Sequence, residues 1–319
     1  MSLTSRLSPT DAAATDVSTL DITVLLGGPS EEREVSLESG DAVAGALTRL
    51  GHRVVRSDIS PTDLDSLDIP ADLIFIALHG TFGEDGQLQA ILEARGIPYV
   101  GSDAAASALA MDKVQSKIRF EEVQVPTPRY LEITEQNIPQ AALDWPLPAV
   151  VKPVCQGSSV DTTLAKDAAS LKQALEDVVA RYGRALLEDY IDGCELTVGI
   201  LGDMALPVCE IHTPREFYDY AAKYVEDTTE YRFDIDLPAE TLKEVQRLRL
   251  LAHNALGCRD FSRVDWIVSA KDHRPYALEV NTIPGFTSHS LLPKASSRVD
   301  IDFDRLCQRI VDLAMSRQT

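Results

Sequence analysis

The first buried-strand pattern begins at Ile22, where ITVLL runs into Gly27 and Gly28. A 3.6-residue period follows over residues 35–50, with Val43, Ala46, Leu47 and Leu50 on one face and Gly51 as the stop. HRVVRSDI reads as a second strand, and ADLIFIALHG as a third that is apolar nearly throughout. GQLQAILEARG resumes the helical period through Leu88, Ile91 and Leu92 and stops at Gly96. Strands alternating with helices predict an α/β fold whose parallel sheet is covered on both faces. Ligands of such sheets sit beyond the carboxyl ends of the strands. GGPSEEREVS and HGTFGEDG both lie at strand ends, so they are expected to line one cleft.

Pro126 and Pro128 break the pattern near Val125. Beyond them strands outnumber helices, a mixed α+β pattern. LPAVVKP, RALLEDYI, ELTVGIL, RVDWIV and YALEVN read as strands, and residues 168–182, 239–256 and 303–315 as helices. Residues 213–237 are charged, tyrosine-rich and aperiodic, the pattern expected of a functional lid. Residues 1–20 carry no apolar core of a signal peptide and read as a flexible leader; Asp11 and Asp16 argue against a transit peptide.

Charge narrows the partners. Thirty Lys and Arg against 50 Asp and Glu give a net charge of −20, which repels polyphosphates and anionic lipid. No nucleic-acid and no membrane partner is therefore expected, and no apolar run reaches the roughly 18 residues of a membrane span. A small anionic ligand would need basic groups concentrated locally. The five cysteines, Cys155, Cys194, Cys209, Cys258 and Cys307, are odd in number, far apart and without a CxxC pair. A disulfide framework or zinc site is not expected, and a reducing cytoplasm suits the chain.

Several segments carry candidate chemistry. Asp265 lies in RVDWIV, while Glu279 and Asn281 flank Val280 in YALEVN, a spacing that turns both side chains to one face of a strand. If the two strands are antiparallel neighbours, the three groups converge as a hard-oxygen site suited to magnesium on nucleotide phosphates. The alternative is three polar residues on a solvated face. In KPVCQGSS, Lys152 ends a strand and Gly157, Ser158 and Ser159 follow, a phosphate-cradling composition that equally suits a plain loop; it is not a Walker A loop. Ser30 in GGPSEEREVS is either a helix cap or part of a loop whose carboxylate holds an ammonium group. GFTSHSLLPK offers hydroxyls, backbone donors and Lys294 to a carboxylate, or is an ordinary Gly-Ser loop. His79 is a catalytic group or a satisfied histidine at a strand end.

In this order, LLGGPSEEREVSLESG, FIALHGTFGEDGQLQ, MDKVQSK, VVKPVCQGSSV, EFYDYAAKY, RVDWIV and LEVNTIPGFTSHSLLPK resemble the D-alanine–D-alanine ligases of the ATP-grasp superfamily, over residues 22–314. The resemblance implies three domains after the leader: residues 21–105, a central ATP-grasp domain 106–190, and a C-terminal one, 191–319, carrying the lid 213–237. It implies D-alanine and ATP as substrates, two magnesium ions with manganese as a substitute, and a homodimer. Residue by residue, it implies that Lys113, Lys152, Ser159 and the lid residue Lys223 meet the nucleotide. Glu188 and Ile191 would border the adenine, and Glu195 the ribose. Asp265, Glu279 and Asn281 match the metal ligands. Glu32, coupled to Ser158 and Tyr224, would hold the first D-alanine; Arg263 and the Gly285 backbone would stabilise the tetrahedral intermediate. Ser290, Leu291 and Lys294 would receive the second carboxylate, and His79 would border the substrates.

Three departures stand out: Asp161 where the family usually has glycine, Gln156 for an acidic residue, and Ser262 for a glycine. A carboxylate at 161 is expected to repel the triphosphate if it faces it. The resemblance implies peptidoglycan-precursor synthesis. Two other readings remain, a different second substrate such as D-serine or D-lactate, and a nucleotide sensor without turnover. A nicotinamide oxidoreductase is excluded because GxGxxG is missing after the first strand.

Overall fold

A computed structural model of the chain describes residues 19–213 and 229–317. The first sheet is parallel, with β1 (Asp21–Leu26) between β2 (Arg53–Asp58) and β3 (Leu73–Ile76). Helix α1 (Arg33–Arg49) packs on it and buries Ser36, Ser39, Gly40, Val43, Ala44, Ala46 and Leu47, a stripe at helical spacing. Gly40 permits the approach, since a Cβ there would stand 2.4 Å from the Leu26 Cβ. Helix α2 (Gln87–Arg95) adds Leu88 and Leu92 to the same core and ends on Gly96 in the left-handed region.

Helices α3 (Ala104–Met111) and α4 (Lys113–Glu122) lead into a four-stranded antiparallel sheet, ordered β4 (Tyr130–Ile133), β7 (Ala185–Asp189), β5 (Ala149–Pro153), β6 (Thr163–Ala165). Helix α5 (Ile138–Asp144) and helix α6 (Ala168–Tyr182) cover it. In α6, Asp167 and Ser170 form a capping box, Leu171, Ala174, Leu175, Val178 and Val179 are buried, and Gly183 closes the helix.

The third sheet is antiparallel, ordered β11 (Glu230–Arg232), β10 (Cys209–His212), β8 (Gly193–Leu201), β12 (Phe261–Ser269), β13 (Pro275–Asn281), with β9 (Met204–Ala205) on β8. Helix α7 (Ala239–Ala255) packs against it, and α8 (Leu291–Ser297) follows β13. The closing helix α9 (Phe303–Ser316) turns back to the first sheet, where Leu306, Cys307, Ile310 and Val311 share a core with α1 and β3. Phe286 joins that core edge-on to Phe75 and Phe261, at 5.5 and 5.7 Å. The loop after β13 is thereby anchored beside the first sheet.

The expected strands and the longer helices are present. The α1 helix starts at Arg33, two residues before its expected start, and four further helices, α3, α4, α5 and α8, occupy stretches for which no element was expected. Helices α3, α5 and α8 are too short to show a sustained period, and in α4 the buried face includes Lys113, Ser116 and Lys117, which interrupts the apolar pattern. The segment 213–237 contributes Thr213, β11 and residues up to Leu237; the rest of it lies outside the described residues, as do residues 1–18 of the leader.

Candidate active site

The antiparallel pairing that would bring the acidic residues together is present. Asp265 on β12 stands opposite Glu279 on β13, and Arg263 opposite Asn281. A spacing of two on each strand places all four side chains on one face. That face looks onto a cleft of about 590 Å³ between the third sheet and the four-stranded sheet. Lys113, Lys152, Ser159, Glu188, Ile191, Glu195, Asp265 and Glu279 line it. A smaller chamber of about 120 Å³ adjoins it, lined by Glu32, His79, Ser158, Arg263, Asn281, Gly285, Ser290 and Leu291. Lys113, Gln156 and Glu279 line both, so the two chambers meet there.

The larger chamber is balanced by buried charge pairs. Lys152 Nζ lies 2.5 Å from Glu188 Oε2, and Lys117, behind Glu188, pairs with Oε1. Burial opposes the charge of Glu188, but the two lysines outweigh it and hold the carboxyl below its ordinary range. Burial likewise works against Lys152, and Glu188, Glu279 and Glu195 overcome it to hold the ammonium above its usual value. Lys113 donates to the Gln156 carbonyl at 2.6 Å and lies 3.2 Å from Glu279. Asp265 accepts two bonds from Arg263, both at 2.9 Å, and one from Thr197 at 2.6 Å.

In the smaller chamber Ser158 donates to Glu32, joining the loop after β5 to the loop before α1. Ser30 does not cap α1: its hydroxyl donates to the His79 carbonyl at 2.6 Å and so ties the two strand-end loops together. The carbonyl of Ile283 fixes the proton of His79 on Nδ1, at 3.1 Å, which leaves Nε2 to accept from Ser39 at 3.1 Å. Burial pushes the imidazole pKa down despite Glu32, so the ring is neutral. A Cβ at Gly285 would meet Ser290 Oγ at 2.5 Å and displace that hydroxyl. That hydroxyl is positioned by Thr287, whose N–H lies 3.0 Å and whose own hydroxyl 2.9 Å away.

Lys294 lines neither chamber. Its ammonium donates to the Ser288 carbonyl at 2.8 Å and stands 5.4 Å from the Tyr231 ring centre. Lys223 and Tyr224 lie outside the described residues. Asp161 does not face the cleft. Ser159 and Thr162 line the chamber, while the Asp161 carboxylate turns to α6, accepting from Arg181 and the Tyr182 hydroxyl, each at 2.6 Å. The condition for a clash with phosphate is thus not met: from a backbone at φ +52°, the side chain reaches Arg181 and Tyr182 instead. Ser262 meets His253 Nδ1 at 2.7 Å within the core, a local pairing that accounts for a hydroxyl at that position. Gln156 presents its carbonyl to Lys113, a contact that any side chain would permit.

Sequence reasoning missed Glu84. It lines the smaller chamber and accepts from the Gly80 N–H at 2.6 Å, and burial, with the charge of Glu32 adding, pushes its pKa up to about 8. Nothing in HGTFGEDG distinguishes its first acid as buried; only its position five residues after His79 hinted at it. Thr197 was missed because its role depends on β8 pairing with β12 opposite Asp265.

Two antiparallel sheets closing on a cleft of paired lysines and carboxylates, beside a parallel α/β layer, are the architecture of the ATP-grasp fold. Within that class the chain belongs to the D-alanine–D-alanine ligase family. The family descriptions "D-ala D-ala ligase N-terminus" and "D-ala D-ala ligase C-terminus" match residues 55–102 and 120–312. It is similar to D-alanine–D-alanine ligases from Anaeromyxobacter dehalogenans (42% identical over 91% of this chain and 96% of that protein) and Marinobacter nauticus (45%, over 91% and 90%). Among solved structures, the D-alanine–D-alanine ligase from Bacillus anthracis matches with a TM-score of 0.82 at 35% identity, covering 92% of this chain and 97% of that one. The D-Ala:D-Ser ligase VanG from Enterococcus faecalis matches with a TM-score of 0.82 at 29% identity, covering 93% and 99%.

Proposed function

We propose that this enzyme joins two D-alanines to D-alanyl-D-alanine at the expense of ATP, with the nucleotide in the larger chamber and the amino acids in the smaller. The observation that carries the reading is the division of the described candidates. Apart from Lys294, the substrate set lines the smaller chamber and the nucleotide set the larger, with Lys113 and Glu279 at their junction. A γ-phosphate at that junction reaches a carboxylate lying in the smaller chamber.

Asp265, Glu279 and Asn281 fit a magnesium ion. Their oxygens share one sheet face, and Arg263 and Lys113 now balance the two carboxylates with the positive charge a cation would bring. Among the described residues no group of three His, Cys, Asp or Glu can hold a metal, so phosphate oxygens would complete the coordination, as is usual for magnesium. When bound, the ion neutralises charge on the transferring phosphoryl group.

In the first step a carboxylate oxygen of one D-alanine attacks the γ-phosphorus, forming an acyl phosphate and releasing ADP. Glu32, oriented by Ser158, holds the ammonium of that D-alanine, and Lys113 and Lys152 face the nucleotide's phosphates. Glu188 and Ile191 border the adenine, Glu195 the ribose, and Ser159 the phosphates. In the second step the amine of the other D-alanine, having lost a proton, attacks the acyl carbon, and phosphate leaves. Arg263 and the Gly285 N–H stabilise the oxyanion of the tetrahedral intermediate. The Ser290 hydroxyl and Leu291 N–H receive the second carboxylate. The product suits peptidoglycan-precursor synthesis in the cytoplasm by a homodimer.

The test is phosphate release from ATP and magnesium, with and without D-alanine, and product identification by mass. D-alanine-dependent release with a D-alanyl-D-alanine product is expected. Release only with D-serine or D-lactate added would change the second substrate, and ATP binding without release would leave the nucleotide-sensor reading.

A further inference from the structure

Lys117 has no part in the steps above, yet it is the most fully enclosed charge among the described residues, at 0% exposure. It lines neither chamber. An ammonium in such a place carries a large desolvation cost and needs partners that offset it. Its Nζ pairs with Glu188 Oε1, donates to Thr127 Oγ1 at 2.6 Å and lies 5.6 Å from the Tyr130 ring centre. The Thr127 hydroxyl donates in turn to the Ala277 carbonyl at 2.9 Å, and the Ala277 N–H donates to the Pro126 carbonyl at 2.7 Å. One ammonium on α4 therefore links β7, in one wall of the nucleotide cleft, to β13 in the other.

The consequence falls on Glu188. Lys152 holds Oε2 from the chamber side, and Lys117 holds Oε1 from behind. A carboxylate clamped at both oxygens keeps its direction; Oε1 is enclosed behind, and Oε2, on the chamber side, retains a lone pair for a further donor. Aimed into the cleft, such a group accepts from an amino group on a base and repels a carbonyl in the same place.

We propose that Lys117 is a positioning residue for nucleotide selection, fixing the Glu188 carboxylate so that the cleft prefers a purine bearing an exocyclic amino group. The proposal rests on Glu188 bordering the adenine, as set out above. The test compares ATP with purine riboside triphosphate, which lacks that amino group, as phosphoryl donors for the full-length wild type, Lys117→Met and Thr127→Val. In the wild type the KM for the analogue is expected to exceed that for ATP by about tenfold or more, the size of a hydrogen bond to a charged group. In Lys117→Met the ratio is expected to collapse to within about twofold, with the KM for D-alanine unchanged. General loosening would raise both nucleotide KM values and leave their ratio intact, so an intact ratio overturns the proposal. No preference in the wild type would instead overturn the placement of Glu188 at the base, and the proposal with it. Thr127→Val is expected to lower the ratio about two- to threefold. Should Lys117→Met not fold, an unchanged ratio in the valine variant overturns the proposal.

Discussion

Replacing Asp161 with glycine separates two accounts of the loop that carries Ser158 and Ser159. If the carboxylate faced the triphosphate at about 8 Å, its removal would relieve about 2 kcal/mol of repulsion at an effective dielectric near 20. The ATP KM would then fall more than tenfold. The structure points the other way, because Asp161 is paired with Arg181 and Tyr182 while its neighbours line the cleft. For stability, glycine relieves about 1 kcal/mol of left-handed strain at φ +52°. It gives up an exposed ion pair worth about 0.2–1 kcal/mol and adds about 0.5–1 kcal/mol of chain entropy. These contributions nearly cancel. Asp161→Gly is thus expected to change the ATP KM by less than about twofold and urea stability by less than about 1 kcal/mol. Asp161→Ala keeps the strain and loses the pair, so it is expected to be the less stable of the two. Steady-state kinetics with ATP varied at saturating D-alanine, beside urea titrations, measure all of this. A tenfold fall in the ATP KM would refute the orientation.

Arg263→Ala is expected to abolish dipeptide formation while sparing most ATP binding, measured by product mass and by nucleotide titration; near-normal turnover would remove Arg263 from the intermediate. Glu84 binds its proton more tightly in the fold than in the unfolded chain, since its pKa rises from 4.5 to about 8. Its contribution to stability is therefore full below about pH 4.5 and declines as pH rises towards 8. Glu84→Gln cannot titrate and is expected to lose less stability than the wild type between those limits; equal losses in urea titrations would refute the shift. Ser262→Ala leaves a buried ring nitrogen of His253 unpaired, and a loss of about 1–3 kcal/mol is expected with both KM values unchanged. No loss of stability would mean that His253 finds another partner.

Much of the scaffold was legible from periodicity. The stripe through Val43 and Leu47 and the helical stretches 168–182 and 303–315 are local patterns, and each formed the helix expected of it. The short helices escaped because two turns of Ala and Ser, or a turn containing Pro293, carry no sustained contrast between faces. In the site, the spacing of Glu279 and Asn281 placed both on one face, but only the pairing of β12 with β13 set Asp265 and Arg263 opposite them.

The sequence by itself determined the class of fold, the strands and longer helices, and which segments carry chemistry, because side-chain periodicity and turn residues act over a few positions. Tertiary structure alone decided where each charge points. Asp161 turned to Arg181, Lys294 to Ser288, and Glu84 and Lys117 were enclosed, each through partners distant in the chain or through packing around them. A charged side chain goes where the balance of desolvation and partner contacts is most favourable, and that balance exists only once distant strands and loops have come together.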